Sequence, residues 1–402
     1  RKIDSLSGLA AQYAVPNEYD KMISSIGAKG TNAYTSSERT VYINEIPSNE
    51  FEKWLSIEAE RFSELVLRLF HTELEAVYEE YNRGKDNDYW LAYETMSAKL
   101  FKKHTYGTQT TIGTGEHLKN PSMEKIHQYF NDWYVPNNMA IILSGDINPD
   151  ITVDLIKQYF GSFEAKEVPT FKAAVEDEIT EPEYVTVTGT NTAWVNIGYR
   201  LPGINSEDIY MLDLFDGLLS NGQAGLIDLN LIKAQKVLNA YCYADVMKDY
   251  TVFQLEGVPR KGQTLDDVKN LLLAEIEKIK SGDIEDWILK AVIKNFKLRE
   301  QEGLLYNRVR ASIMTDAFIL GQKWSDVVNT KEKLNKVTKQ NIIDFANKYF
   351  KNNYVVVYKE NGERNSPKVE KPEITQVPLN RDTFSVFAKN FYSNVSSRLN
   401  PI

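Results

Sequence analysis

The sequence predicts an α+β protein made of tandem duplicated domains, each a mostly antiparallel sheet with helices packed on one face. Three observations carry this. Residues 118–141 recur at 334–357, an offset of 216, without a gap. Strand-like alternating runs are mixed with long amphipathic helices, without the regular strand–helix alternation of a parallel sheet. Two Pro-containing stretches poor in core residues divide the chain.

The repeat pairs Leu118 with Leu334, Ser122 with Thr338, Ile126 with Ile342 and Tyr129 with Phe345. Asn131 and Asn137 fall on Asn347 and Asn353, and the aromatic pair Trp133-Tyr134 falls on Tyr349-Phe350. Ser122 and Thr338 stand where a helix N-cap belongs, because a short hydroxyl can accept from the first free backbone N–H groups. Each copy reads as a helix, a tight Asn-containing turn and a buried strand, at Met139-Ala140-Ile141 and Val355-Val356-Val357.

Residues 1–163 form the first domain on this reading, 164–183 a linker, 184–360 the second domain, and 361–402 a Pro-rich tether with a short helix over Ser385–Leu399. The linker carries Pro169, Pro182 and the run Glu176-Asp177-Glu178, and the tether carries Pro367, Pro372 and Pro378. In the first domain Thr31–Asn44 reads as a strand, and Asn49 with Glu52 resembles a capping box opening the helix with Trp54, Leu55 and Phe62. In the second, Ala193–Arg200 and Thr251–Val258 read as strands, and Leu265–Ile279 and Asp286–Glu300 as amphipathic helices. The chain opens at Arg1 within a polar helical pattern and stops at Asn400-Pro401-Ile402. The expectation is a piece of a longer protein, so the lack of a targeting segment at Arg1 says little about its compartment.

Composition narrows the function. The 402 residues carry 47 basic and 56 acidic side chains, a net charge of −9, with no dense Lys/Arg block. A nucleic-acid partner, which needs a basic stripe, is therefore not expected. The lone Cys242 rules out a disulfide framework or a cysteine zinc knuckle, and His71, His104, His117 and His127 lack the spacing of a zinc helix. His104 and His117 read as capping or hydrogen-bonding residues. No apolar run approaches the ~18 residues of a membrane span.

The stretch from His71 to Glu80 is rich in carboxylates at helical spacing. Glu73 and Glu80 are about two turns apart and so share a face, with Ala76 and Val77 between them. A half-buried carboxylate needs a cation or a donor. One reading is therefore a metal-binding Glu with a supporting partner; the other is a solvated helix face. Glu75 and Glu79 read as solvated.

Gly30-Thr31-Asn32-Ala33-Tyr34-Thr35, running on to Tyr42, resembles the glycine–Asn-Ala–Thr strand of the pitrilysin/insulinase family of zinc metallopeptidases. Glu73 and Glu80 are similar to the family's two glutamates with six residues between them. Ile112-Gly113, His117-Leu118, Ser122, Tyr134, Pro136, Asn138-Met139 and Gly145-Asp146 resemble the stretch closing its first domain. Leu218-Leu219-Ser220-Asn221-Gly222 is similar to a small-residue loop of its second. The likeness runs in order from residue 19 to 360.

The resemblance implies a zinc-dependent endopeptidase acting on peptides or unfolded polypeptides. In that family a His-x-x-Glu-His motif supplies two zinc ligands and a general base, and a downstream Glu completes the site. By position Glu80 would be that metal ligand and Glu73 the supporting catalytic carboxylate. Thr31, Asn32, Ala33, Tyr34 and Thr35 would bind substrate by strand addition at an exposed edge. The motif precedes this strand in the family, and Arg1–Gly30 contains no histidine. The expectation is thus an N-terminal half truncated before the motif, inactive by itself and not retaining zinc. Its partner would be a C-terminal half or a related subunit, and its compartment a bacterial periplasm or cell envelope. The alternative is a non-catalytic partner or scaffold subunit of the same fold.

Overall fold

The computed structural model describes residues 2–67, 70–119, 121–364, 368–370 and 383–395. The chain forms two compact units that interleave in sequence. The first takes residues 1–82, 112–171 and 369–402, and the second takes 83–111 and 172–368.

The first unit holds one hairpin, β1 (Lys29–Thr35) and β2 (Thr40–Glu45), paired antiparallel. The run expected as a single strand over Thr31–Asn44 therefore turns back on itself. Ser36 N–H donates to Arg39 O at 2.9 Å across a Ser-Ser-Glu-Arg turn, residue types that favour a reversal. Helix Phe51–Ser63 follows a 3₁₀ turn at Ser48–Glu50 and has no side-chain cap. The Asn49–Glu52 capping box is not formed: Asn49 bonds Glu50, and Glu52 accepts from Tyr159 Oη at 3.1 Å. Met22, Ile23, Ile26 and Ile57 make a small core with Ala388 and Phe391 of helix Val386–Val395.

The second unit is built on a five-stranded sheet: β3 (Glu183–Gly189), β4 (Trp194–Pro202), β5 (Asn239–Val246), β6 (Tyr250–Val258) and β7 (Tyr354–Asn361). The order is β3-β7-β4-β6-β5, antiparallel throughout except for the β3–β7 pair. Alternation sets its faces. Val195, Ile197, Tyr199 and Leu201 of β4 join Phe253 and Leu255 of β6 in the main core. Helices Leu212–Leu219, Leu265–Ser281 and Lys339–Tyr349 cover that side; Phe215 and Phe350 stack at 4.2 Å within it.

Helix Asp88–Leu100 covers part of the opposite face, with Ala92, Met96 and Leu100 against Val187, Val252, Val355 and Val357. Gly198 makes that approach possible, since a Cβ there would lie 2.5 Å from Met96 Sδ. The helix is pinned at its start by a buried ion pair, Asp88 Oδ2 to Lys359 Nζ at 2.9 Å. Burial alone would raise the Asp88 pKa. The Asn191 N–H and the Lys359 ammonium outweigh it and hold the carboxyl below its ordinary range.

The 216-residue repeat is visible as structure. Helices Met123–Trp133 and Lys339–Tyr349 have equal length. Ser122 Oγ accepts from Lys125 N–H and Thr338 Oγ1 from Asn341 N–H, each at 3.2 Å. Beyond the helices the copies diverge. Asn353 Nδ2 donates to Tyr349 O, whereas a 3₁₀ turn at Pro136–Asn138 moves the equivalent role from Asn137 to Asn138, which donates to Trp133 O. Val355–Val357 lie fully buried in β7 between β3 and β4. The strand expected at Met139–Ile141 is absent. A strand persists by pairing with neighbours, and the described residues place none beside it.

Candidate functional site

Both features singled out from the sequence lie in the first unit. Helix Phe70–Lys85 carries the carboxylates. It turns Leu74 and Tyr78 inward onto Leu118, and Tyr78 Oη donates to Leu118 O at 2.8 Å. Asn82 exchanges hydrogen bonds with the backbone of Val369, Nδ2 to O at 3.1 Å and N–H to Oδ1 at 3.0 Å. With that face committed, Glu73, Ala76 and Glu80 are exposed. Neither carboxylate has a hydrogen-bond or ion-pair partner among the described residues. Of the two readings of this pair, its exposure is that of a solvated helix face.

β1 is exposed along its whole length. β2 pairs with one of its edges, and the described residues place no strand on the other. A bulge between Lys29 and Asn32 bends its start, where Gly30 takes a left-handed φ of 59°. Asn32 Oδ1 accepts from Ala33 N–H, and Thr31 Oγ1 donates to Asn44 Oδ1 at 3.0 Å. Tyr34 and Thr35 project into solvent.

The hairpin is braced from behind by Glu58, which is 3% exposed. Its Oε1 accepts from Tyr19 Oη at 2.7 Å and Asn44 Nδ2 at 3.3 Å, and its Oε2 from Arg61 Nε at 2.9 Å. Arg61 lies 4.2 Å from the Tyr42 ring centroid and 4.3 Å from that of Phe62. Burial, with the Glu58 charge adding to it, lifts the Tyr19 phenol to about 12. Sequence reasoning missed Glu58. The signal was present: it continues the inward stripe Phe51, Leu55 and Phe62, where a charge is out of place.

His104 and His117 act as the capping and hydrogen-bonding residues expected. His104 Nδ1 accepts from Tyr106 N–H at 3.1 Å, and its Nε2 lies 3.2 Å from Asp249 Oδ2 in the second unit. His117 exchanges bonds with Thr114.

Residues 6–114 match the family model described as "Insulinase (Peptidase family M16)", and residues 122–296 match "Peptidase M16 inactive domain". The chain belongs to the M16 insulinase family. It is 23% identical over 345 residues to "Zinc protease PqqE" of Helicobacter pylori, covering 83% of this chain and 76% of that one. It is 25% identical over 195 residues to "Uncharacterized zinc protease YmxG" of Bacillus subtilis, covering 48% and 47%. Its fold is similar to that of a crystallised Helicobacter pylori protease, with a TM-score of 0.79, 22% identity and coverage of 85% and 84%. It is also similar to the periplasmic protease PqqL of Escherichia coli, with a TM-score of 0.67 and 17% identity. That match covers 92% of this chain but 42% of PqqL.

The family names point to zinc, and the donors present here do not fit it. A zinc centre takes three protein ligands or more. The sequence has no His-x-x-Glu-His, Glu80 stands alone in solvent, and the described residues contain no group of three His, Cys, Asp or Glu placed to hold an ion. No hydrolytic step is therefore assigned to this chain's own residues. No helix among the described residues is long and apolar enough to cross a membrane.

Proposed function

We propose that this chain is the peptide-docking, carboxylate-supplying part of a zinc-dependent endopeptidase. The supporting observation is β1, fully exposed and, among the described residues, paired on one edge only, in the same unit as the solvent-facing Glu73 and Glu80. An unfolded peptide adds to such an edge through main-chain hydrogen bonds that are indifferent to its side chains. On this reading Thr31 to Thr35 hold the substrate strand. Glu80 is offered as one ligand to a metal whose other ligands come from outside these residues, and Glu73 supports it. The match to less than half of PqqL supports a second half or related subunit as partner, and the periplasmic description of that protein supports a periplasmic or envelope setting.

A non-catalytic partner subunit is the second reading, favoured by the match to the inactive-domain model and the missing ligand set. Hydrogen exchange tests the docking edge directly. With a saturating unstructured peptide, the amides of Lys29–Thr35 that do not face β2 should slow at least tenfold. Unchanged exchange there, with binding confirmed by anisotropy, rejects β1 as the docking strand.

A further inference from the structure

On the sheet face opposite the main core in the second unit, helix Asp88–Leu100 lies beside a buried carboxylate and two buried polar atoms without partners among the described residues. Register puts Asn196 of β4, Glu256 of β6 and Tyr241 of β5 in one row across three strands. Gln254 and Tyr243 form the adjoining positions of the next row. Asn196 is 5% exposed and Glu256 is 4% exposed. Asn196 Nδ2 donates to Gln254 Oε1 at 2.8 Å, but Asn196 Oδ1 is buried with no partner among the described residues. Trp194 Nε1, from the same alternating set of β4, is likewise buried without an acceptor among the described residues.

Glu256 forms no ion pair among the described residues. Burial lifts its carboxyl above the ordinary range, with a hydrogen bond from Tyr241 pulling the other way. Four tyrosines rim this floor. Tyr241 and Tyr243 stack at 6.0 Å, and Tyr89 stacks on Trp194 at 4.4 Å. Tyr93 stands one helical turn beyond Tyr89, and both of these rings are exposed.

A buried carboxylate without a cation and an amide oxygen without a donor are costly. Exposed tyrosine rings nearby supply negative faces that attract cations. We propose that this face is a binding subsite for a basic side chain of a peptide, with Glu256 and Asn196 Oδ1 accepting from its charged head and the tyrosines flanking its stem. The unpaired Trp194 Nε1 takes a carbonyl oxygen of the same peptide. Arginine suits the site better than lysine, because its planar fork offers several donors at once.

The inference rests on the peptide-binding reading above, so the test separates the two. Binding of a labelled unstructured decapeptide with one arginine is compared with that of the same peptide carrying citrulline, on the native chain and on Glu256→Gln. N-acetyl-arginine methylamide is titrated separately, and circular dichroism verifies the fold of each variant. The expected result is about tenfold tighter binding of the arginine peptide, the range of a charge-assisted hydrogen bond. Glu256→Gln should erase that preference without weakening the citrulline peptide.

Equal affinity for both peptides on the native chain overturns the subsite while leaving peptide binding intact. If neither peptide binds but the methylamide saturates in a Glu256-dependent manner, the subsite stands and the peptide reading falls. Failure of all three probes to bind overturns the subsite.

Discussion

Single side chains decide where each unit tolerates change. Asp88 and Lys359 are both almost fully buried, and their pairing fixes helix Asp88–Leu100 to β7. Asp88→Asn leaves the Lys359 ammonium uncompensated in the interior and should cost about 3–5 kcal/mol. The pH dependence has a definite sign. The folded pKa of Asp88 lies below its unfolded value of about 3.9, so its contribution is complete above that value and is lost as pH falls through the folded one. Urea midpoints should therefore differ most between native protein and Asp88→Asn near neutral pH and converge below about pH 4. A gap that persists in acid contradicts the pairing. Neither this partner nor Glu58 was named from sequence, because a buried charge is chosen by contacts far along the chain. Only its misplacement on an apolar stripe shows locally, as at Glu58. The carboxylates that were named, Glu73 and Glu80, lie on the predicted helix but face solvent, since Leu74 and Tyr78 take the inward positions.

Elements were legible where their signals are local. Ser122 and Thr338 cap the helices their hydroxyls announced, and the strands expected at Ala193–Arg200 and Thr251–Val258 are present as β4 and β6. The reading failed where an element depends on neighbours. Val355–Val357 is a strand because β3 and β4 flank it, while Met139–Ile141 has equal apolar character and no ladder. Helix Asp88–Leu100 crossing to the opposite face was invisible for the same reason. Gly198 is the contact that permits it. Gly198→Ala should cost about 1–3 kcal/mol through overpacking on Met96. Combining it with Met96→Ala should destabilise by less than the sum of the two single changes, because the added methyl enters the space vacated. Strict additivity in thermal or urea unfolding would show that Met96 and Gly198 do not meet.

At the scale of the whole molecule, the duplicated helices and the family resemblance were readable because they depend on the order of many residues. The function is carried by far fewer. On the proposed reading, a chain that offers Glu80 but has no His-x-x-Glu-His contributes to a metal centre without building one. Zinc stoichiometry measures that distinction. After dialysis against micromolar zinc, the 402-residue chain should retain well under one ion per molecule. On the proposed reading, the chain combined with the half or subunit that supplies His-x-x-Glu-His should retain one, and Glu80→Gln in that assembly should release it and abolish peptide hydrolysis. Stoichiometric zinc in the 402-residue chain, or zinc content of the assembly untouched by Glu80→Gln, would contradict the account.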